Sequence, residues 1–152
     1  MRAQRTALDE KQAMDYTIHC MTIEDHKEAL RLWQATEWID LSETDDREPM
    51  ELFLDRNPGL SLVARDGDRL IGTILCSHDG RRGFLIHLAV DERYRRPGIG
   101  TALVERCLAA LAQEGIIKCN IFFIEENKAG IEFWARKGFE MLPHFGWMQK
   151  AL

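Results

Sequence analysis

Nowhere in the 152 residues does an apolar run approach the length of a membrane-spanning helix. Positive charge is short as well: 20 lysines and arginines stand against 25 acidic residues, and the net charge of −5 excludes the broad electrostatic footprint of a nucleic-acid binder. The four cysteines, Cys20, Cys76, Cys107 and Cys119, show neither Cys-x-x-Cys spacing nor the density of a disulfide scaffold. Free thiols in a reducing cytoplasm are expected. Histidines are scattered, so no metal site is expected. Repeats and low-complexity linkers are missing, which leaves one domain of ordinary size. The N-terminal stretch mixes charges without the apolar core of a secretory signal, so residues 1–14 read as a flexible extension and 15–152 as the folded unit.

What is present alternates strand and helix signals. Residues 16–21 read as a strand, after which Thr22 with Asp25 three positions on resembles a capping box opening a helix with Ala29, Leu30 and Trp33 inward. Residues 37–48, rich in carboxylates, read as a mobile loop before a second helix with Pro49 in its first turn. Strands at 60–65 and 70–77 flank Asp66-Gly67-Asp68 as a hairpin, and Asp79-Gly80 turns the chain into 84–90, apolar on both faces and therefore central. A helix over 99–114 stops at Gly115, a strand follows at 116–124, Asn127 caps a last helix, and residues 139–142 and 145–148 suggest two final strands.

The most informative stretch is Arg95-Arg96-Pro97-Gly98-Ile99-Gly100-Thr101, set between the apolar strand and the long helix. Two glycines let the backbone turn sharply and approach a ligand, while the helix start offers N–H groups and a positive dipole end to a phosphate. Rival phosphate loops fail on residues. A dinucleotide fingerprint needs glycine where Leu103 stands, and a Walker loop needs Gly-Lys where the chain has Gly100-Thr101.

The apolar Leu88-Ala89-Val90 before Arg95-x-x-Gly98-x-Gly100, with Asn127 and Phe133-Trp134-Ala135-Arg136-Lys137-Gly138-Phe139 downstream, resembles the GCN5-related N-acetyltransferases. The resemblance implies a mixed α/β fold with a mostly antiparallel sheet of six to seven strands and about four helices. It implies acetyl-coenzyme A as cosubstrate and an amine of a small molecule, amino acid or protein as acceptor. A monomer or homodimer is expected. Backbone from Arg95 to Thr101 would take the pyrophosphate, that of Leu88 to Val90 the pantetheine arm, and Asn127 and Trp134 would lie near the same ligand. A backbone N–H near Leu88 would polarise the thioester carbonyl.

One position departs from the pattern. Trp134 occupies the place of the family's frequent tyrosine acid, and an indole N–H does not serve as a proton acid near neutral pH. His87 and Glu126 are the candidate bases; the strand's alternation would put His87 on one face with Leu85 and Ala89, where it is either a base or a core histidine. Trp38 and Asp40 are candidates for holding a cationic acceptor, Asp79 for a turn or a substrate contact, and Arg82 for a substrate carboxylate. The departure leaves a non-catalytic acyl-coenzyme A sensor as the alternative to an N-acetyltransferase.

Overall fold

A computed structural model describes residues 15–95 and 98–152. The expected extension at 1–14 and the loop positions Arg96 and Pro97 lie outside the described residues. Chain contacts divide the protein into two compact units, one up to Ile121 and one from Phe122 onward.

The first unit is a five-stranded sheet in the order β1-β2-β3-β4-β5: β1 (Thr17–Cys20), β2 (Leu62–Asp66), β3 (Arg69–His78), β4 (Gly83–Val90) and β5 (Cys119–Ile121). All neighbours run antiparallel except β4 and β5, which are parallel. Helix α1 (His26–Gln34) follows a single 3-10 turn in which the Asp25 carboxylate accepts the Thr22 N–H at 2.8 Å, as the sequence spacing predicts. Trp33 of α1 is 1% exposed and gives its indole N–H to the Thr73 hydroxyl of β3 at 2.8 Å. Helix α2 (Arg47–Arg56) adds Met50 to the same apolar cluster. On the opposite face lies α3 (Ile99–Gln113), whose Ile99, Leu103, Cys107 and Leu111 are buried at helical spacing. Glycines permit its close approach: a Cβ on Gly72 would come within 3.3 Å of the Ile99 side chain.

Three sequence expectations change. Residues 37–48 are folded, because Ser42 and Asp45 repeat the Thr22/Asp25 spacing and close a 3-10 turn at Glu43–Asp45 that buries Asp45. The strand expected at 116–124 shrinks to Cys119–Ile121, and the two final strands do not form, so the sheet has five strands instead of six or seven. Apolar residues at 139–148 supplied the strand pattern, but Pro143 removes a donor and the residues from Met141 onward are exposed.

The third change is in β4. Its register with β3 passes from Leu75↔Ile86 to Thr73↔Ala89, leaving one extra residue in β4. His87 takes this up with φ +50°, a left-handed conformation uncommon outside glycine. The bulge breaks the alternation. Gly83, two residues before Leu85, faces Leu111 of α3, whereas His87 packs against Trp33 of α1, so His87 does not share Leu85's face.

The second unit holds α4 (Lys128–Arg136), capped by the Asn127 side chain accepting the Gly130 N–H at 2.9 Å. Trp134 lies edge-on to Phe133 and Phe139, with centroids 5.2 and 5.1 Å away.

Candidate active site

The parting of β4 from β5 frames the site. Their parallel ladder runs only from Gly83↔Cys119 to Leu85↔Ile121, so backbone from Ile86 to Val90 has no β5 partner. Just beyond, the Asp91 N–H bonds the Ile71 carbonyl and its carboxylate takes Arg93 and Arg69 at 2.9 and 3.2 Å. The Tyr94 hydroxyl donates to Asp66 at 2.9 Å, which holds the phenol proton on and pushes its pKa upward. The stem of the glycine loop is thereby tied to the β2–β3 hairpin.

Gly98 is the N-cap of α3 with φ +82°. The first bond of the helix is the Ala102 N–H to the Gly98 carbonyl at 2.9 Å, so the N–H groups of Ile99, Gly100 and Thr101 precede the intrahelical ladder. Ile99 is fully buried, with its side chain turned toward the sheet interior at Gly72. The Arg95 guanidinium folds back on the Val90 carbonyl at 3.3 Å. A free strand flank leading into an N–H-rich helix start is suited to a long ligand with amide groups at one end and phosphates at the other.

Below the bulge lies a cavity of about 290 Å³. Asp40, Ser42, Thr44 and Asp45 line it from the segment between α1 and α2, and Met50 and Phe53 from α2. The sheet contributes Leu75, Ile86 and His87. His87 Nε2 is 2.7 Å from Asp45 Oδ1, and both side chains are about one-tenth exposed. The second carboxylate oxygen of Asp45 accepts the Ser42 N–H at 2.9 Å, and its carbonyl meets His26 Nε2 at 2.7 Å. Thr73 donates to the His87 carbonyl at 3.0 Å, and the Trp33 ring stands 4.8 Å from the imidazole.

Within the first unit, Trp38, Asp79 and Arg82 are not among this cavity's lining residues. Trp38 is 42% exposed with φ +69°. Asp79 caps its own turn, accepting the N–H groups of Arg81 and Arg82 at 2.8 Å, and those bonds hold its carboxyl below the ordinary range. Arg82 is exposed. Glu126, also exposed, gives its carbonyl to the Lys128 N–H ahead of α4. Asn127 has its cap and Trp134 its aromatic neighbours, both within the second unit. The sequence places Asp45 in an acidic stretch expected at the acceptor pocket without singling it out, although Ser42-x-x-Asp45 is the same capping-box spacing recognised at Thr22. Among the described residues no group of histidine, cysteine and carboxylate side chains could hold a metal.

The sheet, its open flank and the glycine-led helix define an acyltransferase fold. The chain belongs to the acetyltransferase (GNAT) family, whose model matches residues 17–139. It is 30% identical over 118 residues to an acetyltransferase of Sodalis glossinidius, covering 78% of this chain and 82% of that one. N-alpha-acetyltransferase 30 of Schizosaccharomyces pombe is 32% identical over 105 residues, covering 66% and 70%. The PaiA N-acetyltransferase of Thermoplasma acidophilum, solved with coenzyme A, superposes with a TM-score of 0.76 at 22% identity, covering 88% and 94%. The NatC complex bound to Gag peptide and coenzyme A gives a TM-score of 0.72 at 26% identity, covering 85% and 87%.

Proposed function

We propose that the protein is an N-acetyltransferase that moves the acetyl group of acetyl-coenzyme A onto a primary amine. The separation of β4 from β5 after Leu85 carries this reading, since it leaves strand backbone free to pair with the amides of a pantetheine arm. The residues present fit that group: Leu88 to Val90 would receive the arm, and the N–H groups from Gly98 to Thr101 the pyrophosphate. When bound, the cosubstrate supplies an activated thioester. The Leu88 N–H beside the bulge is suited to polarise its carbonyl, and Arg95 adds positive charge near the phosphates.

The acceptor amine belongs in the cavity under His87. Asp40 favours an ammonium there, while Met50, Phe53, Leu75 and Ile86 favour an apolar side chain next to it. With one relative named an N-alpha-acetyltransferase and one structural neighbour solved with a Gag peptide, this supports a peptide α-amino group as the first acceptor to try. His87, the first candidate from the sequence, is the base that takes the amine's proton, since it lines this cavity. No side chain is assigned as the acid, so the thiolate leaves to solvent. All four cysteines are free, which supports a reducing compartment such as the cytoplasm.

The test incubates purified protein with acetyl-coenzyme A and a panel of peptides, amino acids and polyamines while following free thiol. Thiol release matched by N-acetylated product is expected. Tight coenzyme A binding without turnover on any amine would replace the enzyme with an acyl-coenzyme A sensor.

A further inference from the structure

His87 is held at four points. Its backbone sits in a left-handed bulge, its carbonyl accepts the Thr73 hydroxyl, its ring rests against Trp33, and its Nε2 meets Asp45. Asp45 is equally fixed: it is 7% exposed, with one carboxylate oxygen on the Ser42 N–H, the other on His87, and its carbonyl on His26. A loop carboxylate needs no such arrangement merely to close a 3-10 turn, for which the Ser42 bond suffices. The second oxygen is directed at an imidazole that lines a cavity.

We propose that Asp45 is a positioning residue for His87: its carboxylate accepts the Nε2 proton, which fixes the tautomer with the lone pair on Nδ1 and stabilises the imidazolium formed there. The inference rests on the acetyltransfer reading of this cavity. The acceptor arrives as an ammonium and gives one proton to Nδ1. The freed nitrogen lone pair forms the N–C bond, the C–S bond breaks, and its electron pair leaves on the thiolate. The nitrogen's second proton leaves with the thiolate or to solvent, and the proton on His87 returns to solvent between turnovers. Asp45 keeps its hydrogen bond to Nε2 throughout and transfers no proton.

Other titratable groups near the ring are few. Asp40 lines the same cavity, and His26 reaches Asp45 through its carbonyl; the α2 and β3 side chains lining the cavity are apolar or, as Pro49, aliphatic. A neutral residue at position 45 therefore removes the anion bonded to the imidazole.

Two measurements on the full chain test this. Nitrogen-15 NMR of the unmodified protein should show His87 as the Nε2–H tautomer, a result independent of turnover. Asp45→Asn should lower kcat on the order of 100-fold with little change in KM for acetyl-coenzyme A, and Asp45→Glu should restore most of the lost rate. An Nδ1–H tautomer overturns the proposal, as does an Asp45→Asn enzyme whose kcat stays within about threefold of the parent's. Should that variant fail to fold, the tautomer decides alone. Absence of turnover on every amine would instead sink the acetyltransfer reading, whichever tautomer is found.

Discussion

Trp33 and His87 are joined twice, once ring to ring at 4.8 Å and once through the Thr73 hydroxyl, which accepts the indole N–H and donates to the His87 carbonyl. One hydroxyl thus ties helix α1 to the bulge in β4. Removing it while keeping the shape leaves a buried N–H and a carbonyl without that partner. Thr73→Val is expected to destabilise the fold by about 2 kcal/mol in urea unfolding. A loss under about 0.5 kcal/mol would mean that water replaces the bridge.

The glycine loop should separate stability from binding. Gly100 stands in the first turn of α3, where a carboxylate interacts favourably with the helix dipole but unfavourably with a phosphate. Gly100→Asp is expected to keep or slightly raise the melting temperature while coenzyme A binding, read by calorimetry, falls at least 100-fold. Unchanged affinity would place the pyrophosphate elsewhere.

Thiol chemistry should single out one cysteine. Cys20 is exposed, whereas Cys76 and Cys107 are buried. The Cys107 thiol is pushed upward by neighbouring Cys76 and by burial, and burial takes Cys119 to about 12. Brief alkylation at pH 8 should give a single adduct at Cys20 by peptide mass spectrometry, and the others should react only in denaturant.

The Asp79 turn makes a pH prediction. The N–H groups of Arg82 and Arg81 lower the carboxyl's folded pKa, so the stabilisation is present above the unfolded value and is lost as pH falls through the folded one. Asp79→Ala should melt below the parent at pH 7, and the difference should shrink steadily as pH falls below the carboxylate range. A gap that stays constant into strong acid would assign it to backbone conformation.

Much of this was legible because it is local. Gly98 at the start of α3, Asn127 ahead of α4 and Thr22 with Asp25 before α1 each satisfy backbone groups within a few residues, so type and spacing suffice. The bulge at His87 is different: a run of Phe84 to Val90 reads as uniform strand, and only its register against β3 shows the extra residue. Asp45 was hidden for a related reason. In an acidic stretch every carboxylate looks solvated, and what buries this one is an imidazole 42 residues away in sequence. The missing final strands show the reverse error, an apolar pattern without a neighbouring strand to complete it.

Ile99 begins the helix proposed to hold the pyrophosphate, yet its side chain belongs to the sheet interior, close against Gly72. On the proposed pyrophosphate site, crowding at position 72 is expected to reach the loop through Ile99 and to be read as a change in the dissociation constant of coenzyme A. A search for tighter or looser cosubstrate binding would find variants inside the sheet, at residues that touch no part of the bound molecule.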